Sequence, residues 1–235
     1  MSFERTDDID RLLSTTRAVR RRLDLSRPVA REVVLECTRL ACFAPNASNG
    51  QDWRWIVVDD PERRRQVAEV YRRQVVPPVR QARAAKAAAG DEAGARMSGT
   101  ILELADHLER VPVLVVPCFD VGAARRRYQA LLADPDLGRA AVTPAGPGAS
   151  MTSSMYASIY PAVWSFQLAL HSRGLGSVFT TAHQGDQGAV AGILGIPEDW
   201  DQTCLIPVAY LSGPDLTPPD RRPVDEVVYW NRADA

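Results

Sequence analysis

Along this chain the spacing of apolar residues changes repeatedly, and each change marks the border of an element. Thr6 with Asp7, Asp8 and Asp10 predicts the capped, acidic first turn of a short helix reaching about Thr15. Pro28 opens a second helix, in which Val29, Val33, Cys37, Leu40 and Ala44 recur three or four residues apart until Pro45 stops it. The run "WRWIVVDD" is bulky and β-branched, which predicts a strand. Asp60 as a cap and Pro61 at the first helical position start another helix, ending near Arg73.

From Gln74 to Gly99 the chain is rich in alanine, arginine and proline with little apolar periodicity, and "ADPDLGRAAVTPAGPGAS" (133–150) is rich in turn formers. Such stretches inside a domain predict a mobile cover or disorder. Between them, "ILELADHLER" reads as a helix and "VPVLVVPCF" as a buried strand. The last third is regular again. Ile159 to Arg173 is apolar on most faces, which predicts a helix buried on several sides, with Gly174 as its C-cap. A strand "GSVFTT", a helix around Ala189 to Leu194 and a buried strand "TCLIPVAYL" follow. The tail "DRRPVDEVVYWN" ends in a strand-like run with no neighbour of its own, as expected of a segment that pairs with another subunit.

Composition narrows the function. At 235 residues and 46% hydrophobic, the chain can bury a substantial core. No window approaches the roughly 20 apolar residues of a bilayer-crossing helix. "MSFERTDDIDRLL" lacks the basic and apolar regions of a secretory signal, so a cytoplasmic protein is expected. Cys37, Cys42, Cys118 and Cys204 have neither zinc-site spacing nor the density of a disulfide scaffold, and are expected to be reduced core residues. The net charge of −1 argues against a nucleic-acid binder. Residues 1–100 nevertheless carry +5 and the remainder −6, which is compatible with an anion pocket near the N-terminus. All but one of the 28 basic residues are arginine, Lys86 being the exception.

Several familiar chemistries are excluded. Neither GxGxxG nor GxxxxGK[ST] occurs, so a Rossmann or P-loop nucleotide site has no support. No GxSxG elbow is present, and His107, His171 and His183 have no metal spacing. What remains is subtler. "APNASNGQDW" (44–53) sets two asparagines, a serine, a glutamine and a glycine between a helix and a strand: a polar turn, or a surface built to hold a ligand. Arg17 and Arg20 would lie one turn apart if "TTRAVRRR" were helical, and several guanidinium groups there are either solvated or face an anion such as phosphate. Thr180 and Thr181 end a strand just before "HQGDQG"; they are ordinary β-formers, or they sit where α/β sheets collect ligands.

Together, in order and separation, these blocks resemble the nitroreductase superfamily of flavin mononucleotide (FMN) enzymes. The family's R-S-x-R motif followed by P-V corresponds to "RAVRRRLDLSRPV", and its A-P-S-x-x-N-x-Q-P-W motif to "APNASNGQDW". Its helix-Gly-Leu-Gly-Ser element corresponds to "FQLALHSRGLGSVFTT", after which come "LGIPEDW", "LIPVAYLSG" and "DRRPVDEVVYW". The stretch "YPAVWSFQLALHSRGLGSVFTT" is similar to an actinobacterial subgroup of flavoproteins.

The resemblance implies one α+β domain over residues 1–235: a three-layer sandwich with a mixed central sheet flanked by helices. It also implies an intertwined homodimer with exchanged C-terminal segments and two FMN sites at the interface. Residues 74–150 would form a variable lid, in which Tyr128 and the arginines 125–127 either attract an anionic substrate or the phosphate of NADPH, or are solvated.

By the same resemblance, Asn46, Ala47, Ser48 and Asn49, with Gln51, lie against the flavin ring. Arg17 and Arg20 hold the phosphate and the pyrimidine edge, Arg20 facing the charge that builds near N1 and O2 on reduction. Arg222, with Arg221 beside it, closes on the phosphate. Thr180 and Thr181 approach the N5 edge, with Thr181 as the N5 donor. There are departures: Ala18 replaces a serine and leaves only a backbone N–H for the phosphate, Asn46 replaces a serine, Asp52 a proline, and Trp164 and Ser165 a glutamine and an asparagine.

The activity implied is ping-pong hydride transfer from NADPH or NADH through flavin N5 to a nitroaromatic, quinone or enone acceptor. Alternatives are an oxidase or dehydrogenase of a biosynthetic intermediate, and a flavin-sequestering protein without turnover.

Overall fold

The structure, a computed structural model, describes residues 5–133 and 147–233. Helix α1 (Thr6–Thr15) and helix α2 (Arg31–Ala41) precede strand β1 (Trp53–Val58). A helical hairpin follows, α3 (Pro61–Ala88) and α4 (Glu92–His107), then strand β2 (Val113–Asp120), helix α5 (Val121–Ala133) and the long helix α6 (Pro147–His171). Strand β3 (Leu175–Ser177), helix α7 (Gln187–Leu194), and strands β4 (Trp200–Gln202) and β5 (Ile206–Tyr210) complete the ordered elements before the tail.

The strands form one sheet in the order β1-β2-β5-β3, with β4 also pairing with β2. Side chains alternate along β2 and divide the core in two. Leu114, Val116 and Cys118 join Val67, Tyr71 and Val75 of α3 and Leu104 of α4. Val113, Val115 and Phe119 face Cys37 and Ala41 of α2 and Ile159, Phe166 and Leu170 of α6. All eight residues of β2 are buried, as befits a strand covered on both faces, and each large side chain so buried contributes about 1.5–3 kcal/mol. Helices, sheet and helices therefore form the three expected layers. Among the described residues no helix is long and apolar enough to cross a membrane.

Several elements differ from expectation. Every strand pairing among the described residues is antiparallel rather than mixed. The connection between β1 and β2 shows why: a single crossover helix would return the chain to the start of β1, whereas the α3–α4 hairpin leaves it at the end, so β2 must run back. Residues 74–88 and 92–99 are helical, not irregular. Helix α3 continues past Arg73 through Pro77 and Pro78 to Ala88, because its alanine-rich second half favours helix and it packs against α4. Part of the turn-rich stretch 133–150 lies outside the described residues.

Helix α1 carries its acidic first turn, but Thr6 lies inside the helix and no side chain caps it. Helix α6 begins at Pro147, well before Ile159, and ends at His171. Gly174 then takes φ +74, the left-handed backbone expected of a C-cap glycine. The tail forms no strand among its described residues: a 3-10 turn at Val224–Glu226 is followed by exposed Val227, Tyr229 and Trp230, the last 84% exposed. Cys37, Cys118 and Cys204 are buried as expected, but Cys42 is exposed at the end of α2.

Candidate functional site

The polar stretch between α2 and β1 is a tightly held loop. Asn46 accepts the Gln51 amide on its side-chain oxygen at 3.0 Å, closing the loop across its base. The Ala47 amide donates to the Ser158 hydroxyl of α6 at 3.0 Å, and the Trp53 indole donates to the Ser158 carbonyl at 2.9 Å. Within that clamp Ser48, Asn49 and Gln51 all adopt positive φ, at 51, 47 and 54°. Asparagine tolerates this region; for serine and glutamine it costs about 1–2 kcal/mol each. A loop that holds such strain while exposing Ser48, Asn49 and Gln51 presents fixed polar groups outward.

A second cluster forms on the other side of the sheet. Arg20 is partly buried, its guanidinium donates an N–H to the Met97 sulfur at 3.7 Å, and no ion pair with a carboxylate is formed among the described residues. Burial lowers its pKa, and the nearby Tyr71 hydroxyl pulls the other way. Tyr71 is buried in the core of α3, which raises its own pKa, and the Thr180 hydroxyl donates to its oxygen at 3.4 Å. The Thr180 backbone is fixed by reciprocal hydrogen bonds with Leu205, at 2.9 and 2.7 Å. Thr181 follows, exposed, at the head of the short turn Ala182–Asp186.

Arg20, Tyr71 and Thr180 are thus brought together, with exposed Thr181 next in the chain. Arg17 is exposed and turned elsewhere, reaching the Thr217 carbonyl at 3.4 Å, and Ala18 is exposed beside it. Arg221 and Arg222 lie on the exposed tail, where Arg221 donates to the Asp220 carbonyl at 3.0 Å. The loop Asn46–Gln51 is not brought to Arg20 within this chain: its supports belong to the α2–α6 side of the sheet, and those of Arg20 to the α3–α4 side. A cavity of about 1020 Å³ between α1, the end of α6 and the segment after β5 is lined by none of these residues.

Sequence reasoning missed several participants. Tyr71 is at a core position of α3, and nothing in its spacing separates it from a packing residue. Ser158 is one of several serines in α6, and nothing in the sequence sets it apart from the others. Asp52, noted only as a departure, is 6% exposed and pairs with Arg127 of α5, whose guanidinium lies over Gly50. Of the three lid arginines, Arg127 already pairs with a carboxylate. Trp164 stands 39% exposed on α6, in line with Tyr160 and the 42%-exposed Tyr156. Among the described residues no group of three or more His, Cys, Asp or Glu side chains could hold a metal ion.

The sequence profile of the nitroreductase family matches residues 13–210, and the chain belongs to that family. Solved structures share its fold. A nitroreductase-like protein of Streptococcus mutans superposes with a TM-score of 0.68 at 15% identity, covering 97% of this chain and 99% of that one. A nitroreductase family protein of Streptococcus pneumoniae gives 0.63 at 19% identity, covering 95% and 100%. An iodotyrosine deiodinase solved with FMN and 3-iodo-L-tyrosine gives 0.64 at 21% identity, covering 94% and 97%. Among curated proteins no match is found.

Proposed function

We propose that this chain is an FMN-dependent oxidoreductase that takes electrons from NADH or NADPH and delivers them to a small organic acceptor such as a nitroaromatic, quinone or enone. The observation that carries this reading is the Arg20 guanidinium, partly buried, unanswered by any described carboxylate, and held beside Tyr71 and Thr180. A cation in that state favours an anionic ligand, because the ligand recovers the solvation that burial removed. The donor set fits FMN: a guanidinium for the ring's electron-rich edge, hydroxyls at a strand end, and a rigid loop of amide and hydroxyl groups. The deiodinase of the same fold carries FMN.

FMN supplies reversible two-electron chemistry that no side chain here offers. The chain's own residues bind and orient it. Arg20 would hold the electron-rich edge of the ring and Thr181 would stand as a donor toward it, while Tyr71 accepts from the Thr180 hydroxyl and fixes its rotamer. Arg17, with Arg221 and Arg222, meets the phosphate. The cover expected of residues 74–150 is provided by α5, which Arg127 ties to the loop. With no dinucleotide-binding fold, donor and acceptor take turns over one face of the ring, a ping-pong scheme.

The protein works as a homodimer. The loop and the Arg20 cluster belong to opposite faces of one sheet, so a second copy completes each site, and the exposed tail reaches across to it. Freshly purified protein is expected to be yellow, to run at twice the chain mass, and to lose its flavin absorbance on anaerobic addition of NADPH or NADH. Arg20→Ala should weaken FMN retention at least tenfold while the dimer persists. A colourless monomer that takes up no added FMN would end the proposal.

A further inference from the structure

The cavity of about 1020 Å³ between α1, the end of α6 and the segment after β5 takes no part in the function proposed above. Its size is that of a site for a small organic molecule. Its walls are tied in place. Past β5 the Leu211 amide donates to the Gly174 carbonyl at 2.9 Å, and the Ser212 amide to the Arg22 carbonyl at 3.0 Å. Arg22 returns its Nε–H to the Ser212 carbonyl at 2.8 Å. Arg11 of α1 reaches across to pair with Asp215 at 2.6 Å.

The lining sets the chemistry of an occupant. Ile9 and Leu12 of α1, with Leu211 and Leu216 after β5, are only half buried and give the cavity apolar walls. The arginines and aspartates around it answer each other, Arg11 with Asp215 and Arg5 with Asp8 at 3.7 Å, so no spare charge is left for an ion. One directional group remains. The buried Thr15 hydroxyl lies 2.6 Å from the Arg11 carbonyl, a separation that requires its single proton between the two oxygens. Thr15 can then only accept from His171, whose Nε2 is 3.0 Å away. Burial holds the His171 imidazole below its ordinary pKa, so at neutral pH the ring is uncharged. Its one proton is on Nε2, and Nδ1 is a bare acceptor with no hydrogen-bond partner among the described residues.

We propose that this cavity binds an uncharged molecule with an apolar body and a hydroxyl, a phenol or an alcohol, which donates to His171 Nδ1. The body displaces water from Ile9, Leu12, Leu211 and Leu216, and the hydroxyl gives the acceptor its donor. The cavity shares no lining residue with the Arg20 cluster or the loop Asn46–Gln51, so binding there neither needs flavin nor competes with it.

The test uses p-cresol and toluene, which share a body and differ by the hydroxyl, titrated into the full chain with excess FMN and again without it. The chain has three histidines, so the ring nitrogens can be followed singly by 15N NMR, and probe affinities by saturation transfer. p-Cresol is expected to shift His171 Nδ1 saturably, to bind at least tenfold more tightly than toluene, and to do so equally in both samples. His171→Phe should bring p-cresol down to the affinity of toluene, and Leu12→Trp, by filling the cavity, should weaken p-cresol tenfold or more. The proposal is overturned if neither probe binds, if p-cresol binds within twofold of toluene, if FMN displaces it, or if either variant leaves its dissociation constant within twofold of wild type. Protein that takes up no FMN yet binds p-cresol at His171 keeps the cavity site and removes the flavin reading instead.

Discussion

At Ser48 and Gln51 the backbone conformation is unfavourable for the residue that occupies it. Because Ser48 sits at φ 51 and ψ 28, Ser48→Gly should stabilise the fold by about 1 kcal/mol, measured as a higher midpoint in urea, while weakening FMN binding through lost rigidity. A midpoint below wild type would show that the hydroxyl matters more than the strain. His183 is a second residue under tension. It is wholly buried, both ring nitrogens lack hydrogen-bond partners among the described residues, and burial pushes its pKa down to about 4. The unfolded chain therefore binds a proton that the folded chain refuses between the ordinary histidine value near 6.5 and 4. Stability is full above that window and falls as pH drops through it, by about 3 kcal/mol. His183→Phe should flatten the dependence, as read by urea unfolding at pH 7 and pH 4.5. An unchanged slope would place the acid sensitivity elsewhere.

Between residues and whole molecule stand the elements, and here α5 is decisive. Its first turn is capped by Asp120, whose carboxylate accepts the Ala123 amide at 2.8 Å, and the same carboxylate pairs with Arg54 at 2.7 Å. Arg127, further along, reaches Asp52 beneath the strained loop. Helix and loop are thus coupled through one partly buried ion pair. Breaking it strands a buried carboxylate, so Arg127→Ala should cost about 1–3 kcal/mol and speed FMN release, whereas Arg127→Lys should keep part of both. The double variant with Asp52→Asn should be less damaging than the two single losses combined; strict additivity would deny the coupling. The long α3 gives a different lesson. Two prolines and a run of alanine and arginine read as irregular when taken alone, and only the packing of α4 alongside makes the helix continuous.

On the scale of the molecule, the function proposed above gives each chain two half-sites, on opposite faces of its sheet. The apolar line Tyr156, Tyr160 and Trp164 along α6, and the bare tail from Val224 to Trp230, are surfaces a lone protomer leaves wet. Dimerisation through α6 would cover them and bring the loop of one protomer to the arginine cluster of the other. Trp164→Glu is therefore expected to shift the mass in light scattering toward the monomer and to empty the flavin in the same sample. A monomer that still holds stoichiometric FMN would mean that each chain builds its site alone.

The sequence by itself determined the identity of most elements, because local preferences set them: β2 from an unbroken apolar run, the C-cap at Gly174 from its freedom at positive φ, and the start of α3 from Asp60 and Pro61. It also marked Arg20, Thr180 and the loop Asn46–Gln51 as candidates by motif order. Tertiary structure alone decided what a one-dimensional pattern does not encode. The antiparallel sheet follows from how the helical hairpin packs, and the burial of Tyr71 and Asp52 from what crosses above them. The separation of the loop, held on the α2–α6 side of the sheet, from Arg20, held on the α3–α4 side, follows from that packing and not from motif order.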